Sequence, residues 1–98
     1  MIKIHNLRLA GFKVNINHRR RYFDKANKRY VFLTDYEKSL SPLVGVPPEQ
    51  KGGRTEIKLI DVDGKEVYAV AECSKKEAYN KKTGVQIAVG RALKSMNL

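Results

Sequence analysis

The sequence predicts an α+β fold, an antiparallel sheet of four or five strands with one C-terminal helix packed on a face. Three observations lead there. Apolar residues alternate with polar ones at period two near the N-terminus, from Ile2 to Ile16. Asp63-Gly64 is a favoured two-residue turn between the apolar-rich runs of Thr55 to Cys73. Ala78, Val85, Ala88, Val89, Ala92, Leu93 and Met96 fall on one stripe of a helical wheel. At 98 residues the chain suits a single domain, 1–98, with one core.

Ile2, Ile4, Leu7 and Leu9, then Phe12, Val14 and Ile16, read as two short strands joined near Gly11. His18 to Arg29 is polar and basic around Asp24-Lys25-Ala26-Asn27. With the flanking Tyr22-Phe23 and Tyr30-Val31-Phe32-Leu33 it reads as a third hairpin arm and a fourth strand. Residues 39–53 hold Pro42, Pro47, Pro48, Gly45, Gly52 and Gly53, a composition that suits neither helix nor central strand, so a long loop is expected.

In the hairpin from Thr55 to Cys73, a two-residue turn at Asp63-Gly64 sets Leu59 opposite Tyr68 and Ile57 opposite Val70, with all four on the buried face. Ser74-Lys75-Lys76-Glu77 matches a capping box, which starts the last helix at Lys75. Ile87, Arg91 and Lys94 then point away from the sheet. Gly84 and Gly90 weaken this helix, and Lys81 and Lys82 intrude on its stripe, which favours a kink near Thr83-Gly84.

There are 20 Lys and Arg against 10 Asp and Glu, a formal net charge of +10, so a polyanionic partner is expected. Residues 1–38 carry ten basic and three acidic side chains, residues 39–72 four and six, and residues 73–98 six and one. Cys73 is the lone cysteine and fits a reducing cytosol. No apolar run approaches the ~20 residues of a membrane span, and the first residues lack a signal-peptide stretch, so the chain reads as a soluble cytoplasmic protein without a membrane partner.

Catalytic chemistry finds little to work with. His5, His18 and Cys73 match no metal-ligand spacing, and nothing in the sequence orients a Cys-His pair, so no catalytic residue, metal or cofactor is assigned. Asp61, Asp63 and Glu66 are explained by turn chemistry, and the glycines of residues 45–53 fit no phosphate loop.

The basic segments are the candidate binding site. Arg19, Arg20, Arg21 and Tyr22, followed by Lys25, Lys28, Arg29 and Tyr30, interleave cations with aromatics, which suits phosphate contacts combined with stacking. Lys75 and Lys76, expected in a first helical turn, oppose the helix dipole, which points to use by an anion. Tyr79, Lys81, Lys82 and the outward Arg91 complete the set. Replacing Arg19, Arg20 and Arg21 together is expected to weaken partner binding while leaving the thermal midpoint nearly unchanged.

The stretch from Arg54 to Leu93, with its Asp63-Gly64 hairpin and Cys73-Ser74-Lys75-Lys76-Glu77-Ala78, resembles the second half of a double-stranded-RNA-binding domain. That resemblance implies Lys75 and Lys76 on phosphates across the RNA major groove. The same stretch, with Tyr79-Asn80-Lys81-Lys82-Thr83-Gly84 and Ile87-Ala88-Val89-Gly90-Arg91-Ala92-Leu93, is also similar to small proteins encoded in tailed-phage genomes. This second likeness implies a stoichiometric inhibitor of host or defence machinery, of the anti-CRISPR or host-takeover kind. The expectation is therefore a non-enzymatic binder of nucleic acid or of a nucleic-acid-loaded complex. The alternatives are a stand-alone RNA- or DNA-binding module and a binder of an acidic protein surface, with self-association through edge strands open to each.

Overall fold

A computed structural model describes residues 3–96, so the expected role of Ile2 lies outside the described residues. Ile4–Leu9 forms a helix, α1, where a strand was expected. The break in alternation at Asn6 is the helical signal: Ile4 and Leu7, three apart, pack together on the core. Gly11 is the glycine that ends this helix and not a turn between strands. Its φ is +97°, its N–H donates to the Arg8 carbonyl, and the Phe12 N–H donates to the Leu7 carbonyl.

The second strand and the third hairpin arm expected next merge into one strand, β1 (Lys13–Asp24). A turn follows in which the Asp24 carboxylate accepts from the N–H groups of Ala26 and Asn27, and β2 (Arg29–Leu33) returns. Thr34 then starts a short helix, α2 (Asp35–Ser39), with a reciprocal capping box to Glu37 that the sequence reading passed over. Loop residues run only from 40 to 50, because Gly52 and Gly53 belong to β3 (Lys51–Ile60).

β3 and β4 (Glu66–Ala78) form the expected hairpin in a different register. Leu59 pairs with Val67 and Ile57 with Ala69, so Tyr68 and Val70 lie on the opposite face, beside Lys58 and Glu56. The turn is longer than two residues. Asp61 N–H donates to the Lys65 carbonyl, Asp61 Oδ1 accepts from Asp63 and Lys65 N–H, and Gly64 takes φ +85°. One extra residue in the turn shifts every later partner by one.

Ser74 does not cap a helix. Its hydroxyl accepts from Lys76 N–H, and residues 74–77 bulge out of β4 between the pairings Gly53 with Cys73 and Lys51 with Ala78. The last helix, α3 (Lys81–Ser95), starts at Asn80, whose side chain accepts from Thr83 N–H. Ala78 consequently lies outside the helix, in β4. The α3 helix runs unbroken through Thr83-Gly84.

The four strands are all antiparallel, in the order β2-β1-β3-β4. The first part of β1 pairs with β3 and its last part, from Arg20, with β2 on the other side. That stagger draws the molecule out to 45 × 27 × 19 Å. Val14, Ile57, Leu59 and Ala71 of the sheet meet Ala88, Val89 and Ala92 of α3 and its C-cap Met96 to form the core. Each fully buried Ile, Leu or Val contributes about 1.5–3 kcal/mol. A glycine is required at position 84, where an added Cβ would collide with the Thr55 hydroxyl.

Candidate nucleic-acid interface

Alternation along β1 divides the arginine run between two faces of the sheet. Val14, Ile16 and His18 pair with Leu59, Ile57 and Thr55 on the face covered by α3, and Arg20 follows them. Arg19 and Arg21 go to the opposite, open face.

Arg19 is held between two carboxylates. Its guanidinium binds Glu37 of α2 and, at 2.7 Å, Glu56 of β3. Burial pushes the Glu56 carboxyl up, but hydrogen bonds from Arg19 and Tyr68 outweigh it and hold the carboxyl below its usual range. The hydrogen bond to Glu56 pushes Arg19 up in turn. Arg19 is therefore a structural clamp and not a free phosphate ligand. Tyr22 is also withdrawn from the expected site. Its ring is 1% exposed, with the Lys38 ammonium 4.8 Å from its centre.

Arg20 and Arg21 are oriented without carboxylates. Arg20 donates to the Glu49 carbonyl at 3.0 Å and lies 5.0 Å over the Tyr79 ring. Arg21 donates to the Lys51 carbonyl at 3.1 Å and stacks 4.3 Å over Tyr30, which meets Phe23 edge-on. Cation–ring contacts of this kind hold the guanidinium planes in place. Lys25, Lys28 and Arg29 stand exposed at the β1–β2 turn, where Lys28 has a left-handed φ of +52°.

Lys75 and Lys76 lie in the β4 bulge instead of a first helical turn, so the expected opposition to a helix dipole does not apply to them. Lys81 and Lys82 hold the first turn of α3. Arg91 reaches across to donate to the Val70 carbonyl at 2.6 Å. Tyr79 turns inward. Its hydroxyl is 2.8 Å from His18 Nδ1 and 3.0 Å from Thr55 Oγ1, and it donates to the Arg54 carbonyl at 3.2 Å. Burial pushes the phenol up and, with the nearby Lys81, holds the His18 imidazole below its usual value. Cys73 sits beside this cluster with Sγ 3.3 Å from the Glu77 carbonyl.

The sequence reading missed several residues of the open face. Arg54 stacks 5.0 Å over Phe32 and is paired with Glu72 at 2.6 Å. Lys58 meets Glu66 at 3.3 Å. Tyr68, 61% exposed, and the side chains of Asn15 and Asn17 share that face. The polar members of the β1 alternation, Asn15 and Asn17, were the available signal. The wrong hairpin register had assigned Tyr68 to the core.

Of the 20 Lys and Arg, only Arg19, Arg54 and Lys58 form ion pairs with carboxylates among the described residues. No group of three His, Cys, Asp or Glu side chains among them is placed to hold a metal ion, and no described helix is long and apolar enough to cross a membrane. No protein-family model, no curated protein and no solved structure matches this chain.

Proposed function

We propose that this chain is a non-enzymatic binder of nucleic acid, free or carried in a nucleoprotein complex, acting by occupancy as a stoichiometric inhibitor. The observation that carries this reading is the surplus of cations left without carboxylate partners among the described residues. They gather in exposed segments: Lys25, Lys28 and Arg29 at one turn, Lys75 and Lys76 in the bulge, and Lys81 and Lys82 at the start of α3. Like charges at this density repel one another until an anion neutralises them. Lys28 in the left-handed region adds local strain at the tip where such an anion would be met. The setting proposed with it, a counter-defence or host-takeover role in the host cytoplasm, rests on the resemblance of the sequence from Arg54 to Leu93 to small tailed-phage proteins.

Fluorescence anisotropy of labelled RNA and DNA, single-stranded and duplex, over a range of salt concentrations tests the reading. Binding should weaken linearly in log Kd against log salt, and replacing Lys25, Lys28 and Arg29 with Gln should weaken it and flatten the slope. No binding of any nucleic acid at low salt would refute the proposal.

One observation favours a second reading, a protein-only binder, on grounds that do not depend on charge. Tyr36, Leu40 and Val44 are 73%, 72% and 65% exposed and recur at four-residue spacing along α2 and the loop after it. A host protein captured equally well after nuclease treatment would support this alternative.

A further inference from the structure

We infer that the open face of the sheet is a platform for the unpaired bases of a single-stranded nucleic acid, an inference that rests on the reading above and names its substrate class. The face opposite α3 is uncovered, and its composition separates it from the rest of the surface. Three of its cations are neutralised in place, Arg19 by Glu56, Arg54 by Glu72 and Lys58 by Glu66, while Arg21 is held by the Lys51 carbonyl and the Tyr30 ring. A face neutralised this way attracts phosphates weakly, yet it offers flat groups on which bases stack.

Those groups are fixed in advance. Arg21 lies over Tyr30 and Arg54 over Phe32, so ring and guanidinium planes are ordered before any ligand arrives. Tyr68 lines the surface beside Glu56 while 61% of the residue stays open to solvent. Asn15 and Asn17, on the same face, carry amides able both to donate to and to accept from base edges. One hollow reaches from these amides to Tyr68 and Glu56, and a second runs from Tyr68 and Glu56 to Arg54 and Arg91. Through the shared residues they make one trough across β1, β3 and β4.

Charge complementarity selects the occupant. Beyond the neutral middle the cations are unpaired again, with Lys13 and Lys65 at the end nearest the β3–β4 turn and Lys25, Lys28 and Arg29 at the other. The twelve residues of β1, from Lys13 to Asp24, span roughly 36 Å, room for several nucleotides. A single strand lies with its bases on the sheet and its phosphates meeting the cationic ends. A duplex hides its bases and gains nothing from the platform.

The test compares the full-length protein with Tyr68→Ala and with Asn15→Ala/Asn17→Ala, by anisotropy against a labelled single-stranded RNA, a labelled single-stranded DNA and a duplex of matched length. Circular dichroism establishes that each variant is folded. The intact protein should prefer single strands over duplex, and Tyr68→Ala should weaken single-strand binding about tenfold with the salt slope and duplex binding unchanged. Ultraviolet crosslinking of the intact protein to the single strand should mark the peptide containing Tyr68. Preference for duplex, or unchanged single-strand affinity in both folded variants, would overturn the platform while leaving nucleic-acid binding in place. Absence of binding to all three ligands would overturn both.

Discussion

The Tyr79 hydroxyl lies 2.8 Å from His18 Nδ1, and this contact joins β1 to the short link between β4 and α3 across 61 positions of sequence. The same hydroxyl meets Thr55, itself fully buried, and the Arg54 carbonyl. A half-buried phenol thus satisfies three polar groups where the last helix begins. Tyr79→Phe leaves those partners short of a hydrogen bond and should lower stability by about 1–3 kcal/mol, read as a shift in the urea midpoint.

The same pair predicts a pH dependence. The folded state holds His18 below its unfolded value, mainly through burial and then through Lys81, with Asp35 opposing. The unfolded chain consequently binds the proton more readily. Stability should be complete above the ordinary histidine value of 6.5 and should fall as pH drops below it, levelling once the folded imidazole is also protonated. Denaturation curves at stepped pH should show this decline, and His18→Gln should remove the part of it that belongs to this residue.

Two glycines of α3 should respond in opposite directions to alanine. At position 84 the new methyl runs into the Thr55 hydroxyl, and the overpacking should cost about 1–3 kcal/mol. At position 90 nothing lies within 4 Å, so alanine should stabilise the helix by up to about 1 kcal/mol. Thermal melts of the two variants measure the contrast.

Hairpin register is testable by charge. Leu59→Asp, at a fully buried position, should abolish the cooperative transition. Val70→Asp lies on the open face and should leave the protein folded, with a loss within about 1 kcal/mol. Had Val70 faced Ile57 on the inner side, both variants would unfold.

Arg19 should separate from its neighbours. Removing it strands Glu56, whose side chain is 12% exposed, so Arg19→Ala should cost about 1–3 kcal/mol by chemical denaturation. The joint replacement of Arg19, Arg20 and Arg21 should therefore lower the thermal midpoint as well, which revises the expectation drawn from their charge alone. Lys25, Lys28 and Arg29, exposed and unpaired among the described residues, are the set whose replacement should leave the midpoint unchanged.

Sequence alone determined whatever depends on local periodicity and composition. The antiparallel sheet, the existence of the hairpin, the α3 stripe from Val85 to Met96 and the basic character of the β1–β2 turn follow from patterns that neighbouring residues already contain. Tertiary structure decided the choices between equivalent local signals. Ser74 and Asn80 are both able to cap a helix, and Asn80 prevailed where Tyr79 is anchored to His18 and Thr55. Ile4 and Leu7 suit a strand or a helix, and packing on the core selected the helix. Asp63-Gly64 suits a turn of either length, and the Asp61 carboxylate fixed the longer one, which moved Tyr68 to the open face. Which arginines remain available was decided last, because the partners Glu37, Glu49, Glu56 and Glu72 reach them only once the strands are paired. A charge is written in the sequence, but its neutralisation depends on residues that only folding brings within reach.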